Sequence, residues 1–274
     1  MTDRELPIGV FDSGVGGLTV VRSLREVLPR ESFVYLGDTA RVPYGTKSPA
    51  TVVRYSLNNA RFLLQQGIKM LVVACNTASA HAIPALQKEL AIPVVGVVEP
   101  GARAALAATR NGCIGVIGTY GTVESGAYQK AIAELRDRLE VAAEPCPLLV
   151  PLAEEGWLTG DVPRLVAAEY LGRLHARFPQ ADTLVMGCTH YPLFRGLLAE
   201  LTGRLFGREV ALIDSGVAAT AEVGHLLRRR ELEVSGEARG TLRVMVTDRS
   251  RIELVGSRFL GEDLVDVSSV DVTA

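Results

Sequence analysis

The sequence predicts an α/β protein of two pseudosymmetric domains, each with a mostly parallel sheet flanked by helices and with a functional site in the cleft between them. Short apolar runs rich in β-branched residues alternate with helical patterns along the whole chain. The tripeptide Ile-Gly-Val occurs at residues 8–10 and again at 114–116, and a similar cysteine motif follows an apolar run in each half. This repetition favours two related domains.

The predicted strands are short apolar runs bounded by turn formers, and they cover residues 8–11, 33–36, 70–74, 94–98, 114–117, 184–186, 210–213 and 242–246. The predicted helices show apolar residues at helical spacing, and they cover residues 18–28, 49–66, 78–90, 125–138, 163–178, 191–206 and 217–227. Regular alternation of this kind predicts parallel sheets with right-handed crossovers.

The domain boundary is predicted from a composition break at residues 98–101, Val-Glu-Pro-Gly, and from the point near residue 211 where the second half is complete. The first domain is predicted to contain residues 1–97 plus 212–274, and the second to contain residues 98–211. The carboxyl-terminal part of the chain is therefore expected to return to the first domain.

The composition is ordinary for a globular protein, with 274 residues, 48% of them hydrophobic and 22% charged. A formal net charge of −2 gives no reason to expect nucleic acid or an anionic membrane as a partner. Neither a transmembrane run of about 18 apolar residues nor an apolar leader is recognised. We therefore expect a cytoplasmic protein whose four cysteines are free thiols.

Cys75 and Cys188 are the leading candidates for catalysis. Each is predicted at the carboxyl end of a strand and beside a helix N-terminus, a position where ligands bind in α/β folds and where the pKa of a thiol is lowered. Two opposed thiols can move a proton from one face of a carbon to the other. Inert packing is the ordinary alternative for a buried cysteine, and it suits Cys113 and Cys146.

A glycine-rich turn at residues 11–17 partly imitates a dinucleotide-binding fingerprint. The match is poor, because Thr19 stands at the third glycine position and Asp12 would face an anionic pyrophosphate. Asp12 is better suited to hold a ligand's ammonium group, with helix capping as the alternative. After the second strand, residues 43–45 could offer backbone donors to a carboxylate, or could form an unremarkable turn.

His190 and an acidic pair at residues 154–155 complete the candidate residues. His190 lies two positions after Cys188, where an imidazole could stabilise a thiolate or pass a proton. Glu154 and Glu155 are predicted in a loop between the halves, where one of them could act as an acid or base or bind a ligand's ammonium group, or both could simply be solvated. No metal-ligand spacing such as Cys-x-x-Cys occurs, so no metal site is expected.

Four motifs in this order make the chain resemble the aspartate/glutamate racemase family. They are Asp-Ser-Gly-Val-Gly-Gly at 12–17, Gly-Asp-…-Pro-Tyr-Gly at 37–45, Ala-Cys-Asn-Thr-Ala-Ser at 74–79 and Gly-Cys-Thr-His-Tyr-Pro at 187–192. The resemblance extends from residue 8 to about residue 216 and is to the members that act on glutamate. It implies a cofactor-independent, two-thiol racemase with its active site between two pseudosymmetric domains.

The resemblance also implies a biological setting and residue roles. D-glutamate would be made for peptidoglycan in a bacterial cytoplasm, and we expect a homodimer. Cys75 would take the proton from D-glutamate and Cys188 the proton from L-glutamate, with Asp12 and His190 assisting their nearby cysteines and Glu154 a further catalytic candidate. The expected substrate-binding residues are Asp12, Ser13, Pro43, Tyr44, Gly45, Asn76, Thr77, Thr189 and His190.

Two other functions remain open at the level of sequence. A racemase of the same family acting on aspartate or another amino acid would keep both thiols and change the pocket for the side chain. A non-catalytic amino-acid-binding or redox-sensing protein would keep the fold without needing two opposed, reduced thiols. Assays on both substrates, and incorporation of solvent deuterium at Cα, separate these possibilities.

Overall fold

The structure, a computed structural model, describes residues 3–272. Ten strands lie in this range: β1 Ile8–Asp12, β2 Phe33–Gly37, β3 Met70–Val73, β4 Val94–Gly96, β5 Cys113–Gly118, β6 Glu140–Pro145, β7 Thr183–Gly187, β8 Ala211–Asp214, β9 Leu242–Val246 and β10 Val267–Ser269. They form a six-stranded sheet in the order β10-β9-β2-β1-β3-β4 and a four-stranded sheet in the order β6-β5-β7-β8. Neighbouring strands in both sheets are parallel.

Helices connect the strands and cover the sheets. They are α1 Leu18–Val27, α2 Pro49–Gln65, α3 Asn76–Glu89, α4 Val98–Ala108, α5 Tyr120–Glu124, α6 Ala127–Leu135, α7 Leu149–Glu155, α8 Asp161–Arg177, α9 Arg195–Phe206, α10 Ser215–Arg229 and α11 Ile252–Leu260. The predicted fold class, two mostly parallel sheets flanked by helices, is confirmed. In the part of the chain that is described, no helix is long and apolar enough to cross a membrane.

The first sheet draws its strands from residues 8–96 and 242–269, and the second draws its strands from residues 113–214. β9 pairs with β2, so the carboxyl-terminal part of the chain lies beside the amino-terminal strands. The division into residues 1–97 plus 212–274 and residues 98–211 stays a prediction, and its second boundary falls within β8.

The structure differs from the sequence-based elements in several places. The predicted helix over 125–138 is shorter in the structure, where it corresponds to α6 and begins after Gly126, whose φ of 64° is left-handed. The loop expected around residues 154–155 is wrong, because these residues end α7. The edge strands β6 and β10 and the helices α4, α5 and α11 were not predicted. β6 lacks bulky residues, since its sequence is Glu-Val-Ala-Ala-Glu-Pro, and most of it is only partly buried.

A buried ion pair and its hydrogen bonds tie four segments together at the amino-terminal edge of the first sheet. The ammonium group of Lys69 lies 2.5 Å from a carboxylate oxygen of Glu31, and the side chains are only 1% and 5% exposed. Lys69 also donates to the backbone carbonyls of Arg4 at 2.6 Å and Leu232 at 2.9 Å. The other oxygen of Glu31 accepts the backbone N–H of Val234 at 3.0 Å. These bonds compensate both buried charges.

Replacing Lys69 by methionine should therefore lower the free energy of unfolding by about 3 kcal/mol or more, because Glu31 would remain buried without its cation. Urea denaturation measures the change. Lys130→Met is the matched control, since Lys130 lies 3.9 Å from Glu134 and both side chains are largely exposed. Its effect should stay within about 0.5 kcal/mol. Equal effects in the two variants would contradict the assignment of the buried pair.

Candidate active site

Cys75 lies at the carboxyl end of β3, at the N-cap position of α3. Its sulfur accepts the backbone N–H of Ala78 at 3.4 Å, and the hydroxyl of Ser13 lies 3.6 Å from the same sulfur. Ser13 directly follows β1, which neighbours β3 in the sheet. Two parallel strands thus bring the thiol and the hydroxyl to one edge, as the carboxyl ends of adjacent strands must.

Cys188 lies at the carboxyl end of β7 in the second sheet. The expected helix N-terminus beside it is wrong in detail. A 3-10 turn over Tyr191–Phe194 follows first, and α9 begins only at Arg195. The polar neighbour of the Cys188 sulfur is instead Nδ1 of His190, at 3.8 Å.

The two thiols line one pocket between the carboxyl edges of the two sheets. Its lining residues are Ser13, Val42, Pro43, Tyr44, Gly45, Cys75, Asn76, Thr77, Thr119, Thr122, Val150, Gly187, Cys188, Thr189 and His190. Of the residues singled out from the sequence, Asp12 and Glu154 are not part of this lining. The structure places them behind it, where they contact or face lining residues.

Glu154 reaches the pocket through His190. Its Oε1 lies 3.0 Å from Nε2 of His190, while the ring of Phe259 packs edge-on against the imidazole at 4.9 Å. Glu155 points elsewhere and binds the guanidinium of Arg251 at 2.8 and 3.1 Å. Of the two candidate glutamates, Glu154 is therefore the one beside the site.

His190 is held as an imidazolium at neutral pH. Burial lowers its pKa, but hydrogen bonds to Cys188 and Glu154 outweigh burial and raise the pKa to about 10. A protonated imidazole next to a thiol stabilises the thiolate. Cys188, His190 and Glu154 thus lie in a row, with the positive imidazolium in the middle.

The surroundings of Cys75 are different, and the expected lowering of its pKa is wrong. Burial and the charge of Asp12 raise the pKa of Cys75 to about 12, against the opposing bonds from the Ala78 N–H and Ser13. The dipole of the helix N-terminus is present, but removing the thiol from water has the larger effect. Cys75 is therefore a neutral thiol at neutral pH, whereas Cys188 faces a cation.

Asp12 ends β1 and is buried, and its carboxyl group interacts electrostatically with both Cys75 and His190. Its Oδ2 accepts the backbone N–H of Gly14 at 3.1 Å, and its Oδ1 has no hydrogen-bond partner among the described residues. Burial raises the pKa of Asp12, while the charge of His190 opposes this shift. The carboxylate lies behind the pocket lining, so in this conformation it does not form the ammonium-binding wall expected from the sequence.

The segment at residues 43–45, which lines the pocket, is held in place by a buried polar network. The hydroxyl of Tyr44 donates to Asp38, whose carboxylate also accepts a hydrogen bond from Arg41 at 2.8 Å. Asn59 donates to the Tyr44 oxygen at 3.0 Å. Because the phenol is turned into the protein, this segment offers the pocket its backbone rather than its aromatic hydroxyl.

Two threonines of the pocket were missed by the sequence reasoning. Thr119 and Thr122 come from the second half, and their hydroxyls lie 2.9 and 3.2 Å from the hydroxyl of Thr77. The available signal was the segment Gly118-Thr-Tyr-Gly121, which follows β5 at the same sheet edge. The side chain of Asn76 is turned away, since its amide bonds to Tyr128 at 2.7 Å and Ser215 at 3.3 Å.

Residues 3–272 contain no group of three or more His, Cys, Asp or Glu side chains arranged to hold a metal ion. What the pocket offers is proton-transfer chemistry. It has one neutral thiol and one thiol beside an imidazolium, surrounded by hydroxyl and backbone donors that can bind carboxylates.

The chain is similar to racemases of known sequence and structure. The chain matches the model of the Asp/Glu/Hydantoin racemase family over residues 8–223. A glutamate racemase of Geobacter metallireducens is 53% identical over 97% of both chains. A solved glutamate racemase from Thermus thermophilus in complex with beta-chloro-D-alanine matches with a TM-score of 0.87 and 46% identity over 98% of each chain. One from Francisella tularensis in complex with D-glutamate matches with a TM-score of 0.89 and 38% identity over 98% of each chain.

Proposed function

The chain belongs to the Asp/Glu/Hydantoin racemase family, and we propose that it interconverts L- and D-glutamate as a glutamate racemase, with Cys75 and Cys188 as its two acid–base groups. The observation that supports this most directly is the pocket itself. Two thiols reach it from two different sheets, and they carry differently charged neighbours. An isomerase that removes a proton from one face of Cα and returns one to the other face needs both features.

In the proposed reaction, the enzyme without substrate has the protonation state that acts on L-glutamate. The Cys188 thiolate, stabilised by the His190 cation, takes the α-hydrogen, and the electron pair of the broken bond stays on Cα. The Cys75 thiol then gives its proton to the opposite face, which leaves D-glutamate and the reversed protonation state. The Cα–H group is a very weak acid, so positioning and electrostatic stabilisation of the developing negative charge must supply the catalysis.

Substrate binding is assigned to donors that already face the pocket. Tyr44, Gly45, Ser13, Thr77 and Thr189 line it, and their backbone N–H groups and hydroxyls are the proposed donors. The N-terminus of α3 also points its free N–H groups toward this region, which favours a carboxylate. The two carboxylates of glutamate match this abundance of donors.

The wider setting is carried over from the family resemblance. We propose that the D-glutamate formed supplies peptidoglycan synthesis in the cytoplasm, and that the enzyme works as a homodimer with glutamate as its small-molecule partner. High identity to named glutamate racemases over nearly the whole chain supports the substrate.

The purified protein tests the proposal directly. In D₂O it should convert either enantiomer of glutamate to the racemate, which is measured as loss of optical rotation. Mass spectrometry should find one deuterium at Cα of the inverted product. The activity should survive exhaustive dialysis against a chelator without added pyridoxal phosphate. Aspartate is the control substrate. Faster turnover of aspartate, or activity restored only by a metal or pyridoxal phosphate, would contradict the proposal, and no exchange at all would favour a binding protein.

A further inference from the structure

The start of α1, in the half that carries the first sheet, touches the turn that follows Cys188 in the other half. The hydroxyl of Thr19 donates to the carbonyl of Gly16 at 2.9 Å and to the carbonyl of Thr189 at 3.0 Å. A hydrogen bond between residues 170 positions apart thus holds the backbone next to His190. Neither Gly16 nor Thr19 lines the pocket.

Gly16 packs so closely against the same turn that a side chain does not fit there. A Cβ atom at this position would lie 2.3 Å from Oγ1 of Thr189 and 2.5 Å from both Cε1 and Nδ1 of His190. Its φ is not in the left-handed region, so the backbone conformation does not require glycine. The requirement is for space, which is occupied by Oγ1 of Thr189 and by the imidazole of His190.

The imidazole is therefore enclosed on several sides. Glu154 on α7 bonds to Nε2, Phe259 on α11 packs on the ring, and Cys188 lies 3.8 Å from Nδ1. The carboxyl group of Asp12 on β1 interacts electrostatically with the imidazole. The guanidinium of Arg258 on α11 donates to backbone carbonyls of α7, including that of residue 154 at 2.6 Å. The remaining side is closed by the α1 start.

We propose that Gly16 and Thr19 are positioning residues, which together press the Thr189-His190 turn into place so that the imidazole stays between Cys188 and Glu154. Through this contact, the half that carries Cys75 aligns the acid–base partner of the thiol in the other half. The proposal rests on the function proposed above for its kinetic consequence. Its structural content, the placement of the His190 ring, is independent of that function.

The Thr19 hydroxyl is tested by two substitutions of similar size. Thr19→Val keeps the shape and removes the donor, so kcat should fall about tenfold with KM little changed, in line with the loss of one hydrogen bond. The pH midpoint of His190, followed by NMR of labelled histidine, should fall by about one unit, because the ring is held less well against the two groups that raise its pKa. Thr19→Ser restores the donor and should return both values to those of the wild type within about twofold in rate.

The space at Gly16 is tested by Gly16→Ala, which should displace the imidazole and lower kcat by about 100-fold, with a larger fall in the His190 midpoint than in Thr19→Val. Gly172→Ala is the control, because a Cβ at Gly172 meets nothing within 4 Å. It should leave both readings unchanged. If Gly16→Ala fails to fold, the comparison of Thr19→Val with Thr19→Ser still decides the proposal.

The rate measurement and the NMR titration together distinguish a failure of the positioning proposal from a failure of the proposed function. If the wild-type protein shows no racemisation but Thr19→Val still lowers the pH midpoint of His190, the positioning contact is supported and the proposed function is rejected. An unchanged midpoint in folded Thr19→Val, whether accompanied by lower thermal stability or by lower activity, would overturn the positioning role.

Discussion

Cys75→Ser and Cys188→Ser should each lower kcat/KM for glutamate by about 10³-fold or more, in both directions. A serine hydroxyl is a far weaker acid than a thiol, so it cannot be the base on one face or the matched acid on the other. Both directions must be affected equally, because the two enantiomers have the same free energy in water. Measurement of racemisation from each pure enantiomer, by loss of optical rotation, gives the four rate constants.

Exchange of the α-hydrogen with D₂O distinguishes the roles of the two thiols. In Cys188→Ser, any remaining exchange should be confined to D-glutamate, and in Cys75→Ser to L-glutamate, with retention of configuration in both cases. Cys113→Ala is the control, since this thiol lies at the start of β5 and outside the pocket lining. Wild-type rates in either serine variant would exclude the two-thiol mechanism.

Much of the site could be predicted because it depends on local sequence. Parallel strands are apolar runs that end in polar turns, so the positions of Cys75 and Cys188 at strand ends follow from the runs before them. The same reasoning leads to Ser13 and the segment at residues 43–45. That these ends meet at one pocket needed the further assumption of two halves facing each other, which the repeated motifs supplied.

The electrostatics could not be predicted, because they depend on residues distant in sequence. Glu154 contacts His190 only because the segment expected as a loop forms α7. The helix N-terminus at Cys75 was recognised correctly, yet burial and Asp12 outweigh it. A sequence gives the local dipole of a helix, whereas desolvation is a property of the complete fold.

The resulting asymmetry has a chemical use. Two thiols that both ionised at neutral pH could not serve as base and acid at the same time. Burial keeps Cys75 protonated, whereas an imidazolium lies beside Cys188, where it would stabilise a thiolate formed during the reaction. The two halves of the fold are similar in topology, but the two thiols have different charged neighbours, Asp12 beside Cys75 and His190 beside Cys188.

This asymmetry predicts that iodoacetamide at pH 7.5 modifies Cys188 at least about 100-fold faster than Cys75. The exposed fractions are nearly equal, 7% for Cys188 and 6% for Cys75, so access does not distinguish them. With a pKa of about 12, roughly one Cys75 thiol in 10⁴ to 10⁵ is ionised at this pH, and the greater nucleophilicity of a basic thiolate recovers only part of the deficit. Peptide mapping after timed quenching measures each site.

The dependence on pH and on Glu154 makes the prediction specific. Between pH 7 and 9 the modification of Cys75 should accelerate about tenfold per pH unit, because its ionised fraction grows in that proportion well below the pKa. Glu154→Gln should slow the modification of Cys188, since the amide cannot hold His190 in its charged form. The matched variant Glu155→Gln should leave the rate unchanged, because Glu155 is bound to Arg251 on the surface. Faster modification of Cys75 than of Cys188 in the unsubstituted enzyme would show that the two thiols do not rest in the assigned states.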